Sequence, residues 1–323
     1  MAKKDKKIIK NICIVINPSS GQTSIIKRIE EIILLLAVKG IRANYTISTS
    51  KTDLITLSKQ AAQSGLYDLL VAVGGDGTLR DVLTSVVGYD IPVSVIPAGT
   101  GNVFAKEMKI PFHSKKWVKM ITRAKRCKVD GGLVNGSYFI MMAGVGFDAF
   151  TVKNTESLGI KKIFGKISYI AGFLKSISEY SYPPLQIEVD DTIHDSGYGV
   201  IISNTSRYGV YFSLNPAALC NDGFLDCVIY RQRGIFGFLG LFITAYFAFL
   251  GAGKKVKLRG NIRRYRCKKI KITSENKHLP VQIDGDLSGV LPAEISVSKH
   301  SFEMMLPSKT VKRLMASQKK IVL

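Results

Sequence analysis

Acidic residues are scarce. The 323-residue chain has 24 Asp+Glu against 46 Lys+Arg, a net charge of +22. Cysteine is also sparse and badly placed for pairing. Cys13, Cys127, Cys220, Cys227 and Cys267 are scattered, odd in number and without a CxxC pair. That excludes a disulfide framework and a cysteine-based zinc site, and suits a reducing compartment. The 4 histidines are isolated, which argues against a His-rich metal centre. No GxxxxGK[ST] occurs, so this is not a P-loop enzyme, and no GxGxxG follows the first apolar run, which disfavours a nicotinamide dehydrogenase. There is no internal repeat and no low-complexity segment beyond the basic termini. The charged start, Met1 to Lys10, leads into a short apolar run without a small-residue cleavage site, so no secretory signal is expected.

What is present is a core. Apolar residues make up 46%, enough to rule out wholesale disorder. At about 100–200 residues per domain, the length suggests two domains. The positive excess fits nucleic acid, an anionic bilayer, a polyphosphate substrate or a solvated surface, and charge alone does not choose. One long uncharged run stands out, Gly234 to Gly253, flanked by Arg231 and Arg233 before it and Lys254, Lys255 and Lys257 after it. About 20 apolar residues suffice to span a bilayer. A spanning helix, a buried core helix and an interfacial helix all fit that run.

Strand and helix alternate in the first part. Ile12–Ile16 reads as a strand, and Ile25, Ile26, Ile29, Ile32, Ile33 and Leu36 recur at helical spacing. Ala43–Ile47, Leu69–Val73 and Ile91–Ile96 are further strands, each followed by a turn and a helical pattern. This order implies a parallel sheet with helices on both faces. Beyond Lys128 short strands dominate. Val129–Val134 and Tyr138–Ala143 flank Asn135-Gly136, a hairpin signal. Leu185–Val189 and Tyr198–Ser203 are expected to pair around Asp190-Asp191. The expected fold is an N-terminal α/β domain with a parallel sheet and a C-terminal antiparallel β-sandwich. The first domain takes residues 1–127 plus a returning segment, 306–323, and the second takes 128–305.

The chemistry sits in glycine-rich turns. Leu69–Val73 runs into Gly74-Gly75-Asp76-Gly77-Thr78 and then a helix. Glycines let the backbone approach phosphate, and a helix N-terminus offers unpaired N–H groups. A carboxylate there would repel an anion unless it holds a divalent cation, which favours Mg²⁺ at Asp76. Pro97-Ala98-Gly99-Thr100-Gly101-Asn102 is a second such turn, and Asn17 to Gly21 a third. Three turns at the carboxyl ends of parallel strands imply a nucleotide or polyphosphate crevice.

Together with Gly144-Val145-Gly146-Phe147-Asp148-Ala149, Asn221-Asp222-Gly223-Phe224-Leu225-Asp226 and Ile283-Asp284-Gly285-Asp286, these motifs resemble the diacylglycerol kinase / sphingosine kinase family of lipid kinases, in its bacterial branch. The resemblance runs from about Asn11 to Leu306, an NAD kinase/diacylglycerol kinase-like architecture. It implies transfer of the ATP γ-phosphate to a lipid hydroxyl in a cleft, most naturally diacylglycerol to phosphatidic acid. By match, Asn17, Gly21, Thr49, Gly74, Gly75, Gly77, Thr78, Gly99, Thr100 and Asn102 would bind the nucleotide. Asp76 and Asp148 would organise catalytic Mg²⁺, and Asp222, with neighbouring backbone carbonyls, resembles a second, structural Mg²⁺ site of some bacterial members. The family usually reads Asp-Gly-Glu where this chain has Asp284-Gly285-Asp286, so the base is either the shorter Asp286 or Asp284. The resemblance also implies a lipid substrate and a family habit of homodimerising, and the apolar run between basic flanks makes peripheral attachment to the inner face of the cell membrane, from the cytoplasm, the expectation. One site built from both halves excludes a simple span by Gly234–Gly253, which is then expected to pack partly in the second domain and partly in the interface. Alternatives are a kinase of phosphatidylglycerol or a sphingoid base, an NAD kinase-like small-molecule kinase, and a nucleic-acid binder. The last is disfavoured because no helix-turn-helix, zinc or RNP-like signature occurs.

Overall fold

The computed structural model describes residues 9–17, 22–157, 166–209, 212–236, 240 and 262–321. The chain forms two compact units, Met1–Val129 with His300–Leu323, and Asp130–Lys299.

The first unit is built on five strands and helices in alternation: β1 (Asn11–Ile16), α1 (Gln22–Ala37), β2 (Arg42–Ile47), α2 (Lys51–Gln63), β3 (Leu69–Gly74), α3 (Asp76–Ser85), β4 (Val93–Pro97), α4 (Val103–Glu107), α5 (Ser114–Ile121) and β5 (Lys125–Val129). The chain's last strand, β20 (Phe302–Leu306), and last helix, α8 (Ser308–Ile321), complete it. The sheet order is β2-β1-β3-β4-β20-β5. All neighbours are parallel except β20 and β5. Strands β3 and β4 are buried along their whole length, which explains their unbroken apolar runs, as expected for parallel strands covered on both faces. The α1 stripe Ile25, Ile29, Ile32 and Leu36 is buried, while Leu34, off that stripe, is 69% exposed. The single tryptophan, Trp117 on α5, is fully buried and donates its indole N–H to the Val95 carbonyl at 2.9 Å. On α8, Val311 and Leu314 are buried and the Thr310 hydroxyl donates to the Met108 carbonyl at 2.6 Å.

The second unit holds two six-stranded antiparallel sheets, the β-sandwich layers. One is β10-β9-β16-β19-β6-β7, made of β6 (Gly132–Val134), β7 (Ser137–Phe139), β9 (Leu185–Val189), β10 (Ile193–Gly197), β16 (Lys269–Thr273) and β19 (Ala293–Val297). The other is β15-β14-β11-β8-β17-β18, made of β8 (Met142–Gly146), β11 (Gly199–Ser203), β14 (Leu225–Tyr230), β15 (Ile262–Cys267), β17 (Pro280–Ile283) and β18 (Asp286–Val290). A two-stranded ribbon pairs β12 (Arg207–Tyr208) with β13 (Phe212–Ser213). Helices α6 (Phe147–Ser157) and α7 (Lys166–Glu179) pack closely. A Cβ on Gly172 would lie 2.1 Å from the Thr155 hydroxyl, and Asn154 Nδ2 donates to Ser176 Oγ at 3.1 Å.

Two expected hairpins come out differently. The Asp190-Asp191 turn joins β9 to β10, not to Tyr198–Ser203; both aspartates have positive φ, 48° and 57°, as a two-residue primed turn requires. The strand within Tyr198–Ser203, β11, lies in the other sheet between β8 and β14. The Asn135-Gly136 hairpin is shorter than expected, Gly132–Val134 against Ser137–Phe139, because the chain then crosses to the second sheet as β8.

Among the described residues no helix is long and apolar enough to cross a membrane. The expected interfacial helix over Gly234–Gly253 lies outside the described residues except for residues 234–236 and 240.

Candidate active site

In the first unit the turns after β3 and β4 are packed backbone to backbone. A Cβ on Gly99 would sit 2.5 Å from the Gly75 Cα, a contact that only glycine permits. Replacing Gly99 by alanine must push backbone against backbone. We expect Gly99→Ala to lose about 1–3 kcal/mol, measured by urea denaturation; an unchanged midpoint would mean the turns do not hold this spacing in solution.

Asp76 ties the same two turns together. Its Oδ2 accepts from Val103 N and its Oδ1 from Phe104 N, both at 2.9 Å. Burial raises its pKa from the usual carboxylate value; the Val103 and Phe104 amides and the Lys106 charge oppose that rise. The Lys106 ammonium itself donates to the Gly101 carbonyl at 2.7 Å. Asn102, left-handed at φ 48°, accepts from Gly99 N at 3.0 Å and donates back to the Gly99 carbonyl, closing the turn on itself. Asn17, at the end of β1, donates through Nδ2 to Thr78 Oγ1 at 2.9 Å. A Cβ on Gly74 would strike that same threonine side chain. Helix α3 starts after Gly75, which offers no side-chain cap to its first amides. Thr100 is exposed at the tip of its turn.

The structure thus brings together Asn17, Gly74, Gly75, Asp76, Gly77, Thr78, Gly99, Thr100 and Asn102. Thr49 lies just past β2, the strand beside β1. Its N–H and hydroxyl both donate to Asp53 Oδ2, at 2.7 and 3.0 Å, and Asp53 N donates to Ser50 Oγ, so this segment caps α2. Gly21 lies outside the described residues. One residue the motifs did not flag is Arg28 on α1, which donates to the Pro97 carbonyl at 2.9 Å and to the Phe112 carbonyl, fixing the entrance to the second turn.

In the second unit the four expected carboxylates have distinct surroundings. Asp284, at φ 50°, and Gly285, at φ 87°, form the turn between β17 and β18. The Asp284 carboxylate accepts from three successive amides, Ile140, Met141 and Met142, at 2.9, 2.9 and 3.1 Å. Asp286 opens β18 opposite Ile283 with its side chain half-buried. Asp148, in the first turn of α6, is 5% exposed. Tyr208 donates its hydroxyl to Asp148 Oδ1, and Gln282 Nε2 donates to Oδ2 at 2.8 Å. Burial raises the Asp148 pKa, and those two hydrogen bonds act against it. Gln282 and Tyr208 carry no motif signal; the one clue in sequence is an amide inside an apolar strand.

Asp222 sits in a different setting. Its Oδ1 accepts from Phe224 N at 3.0 Å and its Oδ2 from the Arg266 guanidinium at 2.9 Å. That guanidinium also stacks on the Phe224 ring, 4.5 Å from its centroid. Asp130 accepts from Gly223 N at 2.8 Å. Burial and the Asp222 charge together push Asp226 up to about 6. Asn204 joins this turn to the strand entry held by Asp284, donating to the Asp130 and Ile140 carbonyls at 2.7 and 2.9 Å.

These donors do not make a metal cage. Among the described residues no three of His, Cys, Asp and Glu group so as to hold an ion. Both Asp76 oxygens accept amides, and Asp222 already faces the Arg266 cation. A resident Mg²⁺ held by side chains alone does not fit this set.

An α/β unit with two interlocked glycine turns, and a β-sandwich unit bearing acidic turns, make an arrangement suited to phosphate chemistry. The comparisons specify it further. Residues 11–134 match the diacylglycerol kinase catalytic domain, and residues 141–306 match the YegS C-terminal NAD kinase beta sandwich-like domain. The chain belongs to the diacylglycerol kinase family of lipid kinases. It is 26% identical over 297 residues to a diacylglycerol kinase of Staphylococcus carnosus, covering 91% of this chain and 94% of that protein. It is 24% identical over 310 residues to one of Bacillus subtilis, covering 95% and 99%. A crystal structure from Bacillus anthracis str. Sterne shares the fold with a TM-score of 0.75 at 24% identity, covering 94% of this chain and 100% of that one.

Proposed function

We propose that this lipid kinase transfers the γ-phosphate of ATP to the free hydroxyl of diacylglycerol, giving phosphatidic acid and ADP. The observation that carries the nucleotide side is the pair of glycine turns locked together by Asp76 in front of the open α3 N-terminus. Amides and glycines there suit the phosphates, with Asn17, Thr78, Thr100 and Asn102 around them. Phosphoryl transfer asks the protein mainly for positioning and charge stabilisation. Asp76 serves positioning, because its carboxylate fixes the two turns. Mg²⁺ enters this reading with the nucleotide as co-substrate, since it is commonly held through phosphates and one or two carboxylates.

For the acceptor, Asp286 is the general base. The lipid oxygen forms the new bond to phosphorus, the bond to the ADP oxygen breaks, and the hydroxyl proton passes to the Asp286 carboxylate. Asp284 is unsuited to that task because three amides occupy its carboxylate. The name shared by the matched relatives supports diacylglycerol as acceptor. The net charge of +22 supports attachment to an anionic membrane surface.

Radiolabelled ATP offered with mixed micelles of diacylglycerol, phosphatidylglycerol or a sphingoid base tests this reading. Label is expected in phosphatidic acid, and Asp76→Ala is expected to cut it by about 100-fold. Label in either other lipid would move the acceptor assignment; a soluble phosphorylated product with no lipid product would sink it.

A further inference from the structure

A buried amide connects Asp148 to the Asp284-Gly285-Asp286 turn. Gln282 lies on β17, is 0% exposed, and has both ends of its side chain in use. Its Oε1 accepts from Gly285 N at 2.9 Å, and its Nε2 donates to Asp148 Oδ2 at 2.8 Å. The partners fix which way round the amide lies. A backbone N–H can only donate, so the oxygen must face Gly285 and the NH₂ must face Asp148. Asp148 Oδ2 therefore has to accept, and Tyr208 is left to the other oxygen. The space is cut to fit. A Cβ on Gly144 would lie 2.1 Å from Asp148 Oδ2 and 2.8 Å from Gln282 Nε2.

Gly285 is the middle of the Asp284-Gly285-Asp286 turn, so its N–H is one bond path away from Asp286. The turn is held at two points. The Asp284 carboxylate holds its first residue to the amides of residues 140–142. Gln282 holds its second residue to Asp148. Asp284 is an anchor to the sheet, whereas Gln282 is the link that couples the turn to the buried Asp148 carboxylate. We propose that Gln282 is a positioning residue for phosphoryl transfer, which sets Asp286 against the acceptor hydroxyl by clamping the Asp284-Gly285-Asp286 turn to Asp148. This rests on the reading of Asp286 as the base.

The aspartate in place of the longer glutamate makes such a clamp more demanding. A side chain shorter by one methylene has fewer rotamers with which to correct a misplaced backbone, and an error of about 1 Å in a reacting group costs on the order of 100-fold in rate.

The test is a double-mutant cycle on the full chain, using whichever alcohol acceptor the wild type phosphorylates. Gln282→Met keeps the length and loses both hydrogen bonds. It should lower kcat by about 10- to 100-fold and leave the nucleotide KM within about twofold. The double variant with Asp286→Asn should be no slower than Asp286→Asn alone, since residues that act as a unit are not additive. A wild-type kcat in Gln282→Met, a parallel rise in nucleotide KM, or a double variant whose loss is the product of the two single losses would each overturn the proposal. Gln282→Asn guards against misfolding, because it keeps a neutral amide in the same buried space while its shorter side chain cannot reach Gly285 N and Asp148 Oδ2 together. It should slow turnover similarly, and wild-type turnover in that variant would overturn the clamp. Full activity in Asp286→Asn beside a slow Gln282→Met would instead show that the base assignment has failed.

Discussion

Asp286→Asn is expected to fold normally and to lose phosphoryl transfer by about 10²- to 10⁴-fold in kcat, the range that a positioned general base contributes. Asparagine matches aspartate in shape but cannot accept the hydroxyl proton. Asp286 is half-buried at the start of β18, so the exchange removes no core packing. The nucleotide KM should change little, because the residues grouped around the phosphate turns belong to the first unit. Asp286→Glu supplies the control. It restores a proton acceptor at the length usual in the family and should retain more activity than the asparagine variant. The measurement is steady-state lipid phosphorylation in mixed micelles, with circular dichroism melting of each variant. An asparagine variant within a few-fold of wild type would remove Asp286 from the chemistry.

Most of the architecture was legible because its signals are local. The continuous apolar runs of β3 and β4, the stripe on α1 and the glycine turns each depend on a few neighbouring residues. The rest has two causes, a polar edge strand and contacts between residues far apart in sequence. Ile193–Gly197 reads as polar loop because it forms an edge strand, exposed at Ile193 and His194, and edge strands lack the buried alternation that marks a strand. The more apolar Tyr198–Ser203 therefore reads as the better partner for Leu185–Val189, although the turn at Asp190-Asp191 leads through Thr192 into β10. The site shows the same division. Gly74–Thr78 and Pro97–Asn102 announce themselves, yet nothing local reveals that Asp76 reaches Val103 and Phe104. The choice between Asp284 and Asp286 is undecidable within three residues of chain. It depends on amides about 140 positions earlier. Gln282 was missed for a similar reason, since its two partners lie on a turn and on a helix far apart in sequence.

That distant contact gives the second large effect. Asp284→Ala should unfold the second unit far more readily than wild type. It leaves Ile140 N, Met141 N and Met142 N without their acceptor, and these residues are at most 8% exposed. An unsatisfied buried donor costs about 1–3 kcal/mol. Water reaching some of the part-buried carboxylate site reduces the sum, so the net loss should be on the order of 3–5 kcal/mol, a large share of the roughly 5–15 kcal/mol that holds a domain. Alanine at φ 50° adds strain, because side chains other than Asn and Asp seldom adopt that region. Asp284→Asn should fall between the two, since its amide oxygen can still accept while its NH₂ faces donors. The order wild type, Asn, Ala in urea midpoint is the signature of an anchor. A residue acting as the base would give the opposite pattern, with Asp284→Asn as stable as wild type and catalytically dead. Measuring urea midpoints and kcat on the same three proteins therefore decides between the two aspartates: stability must track position 284, and turnover without a change in stability must track position 286.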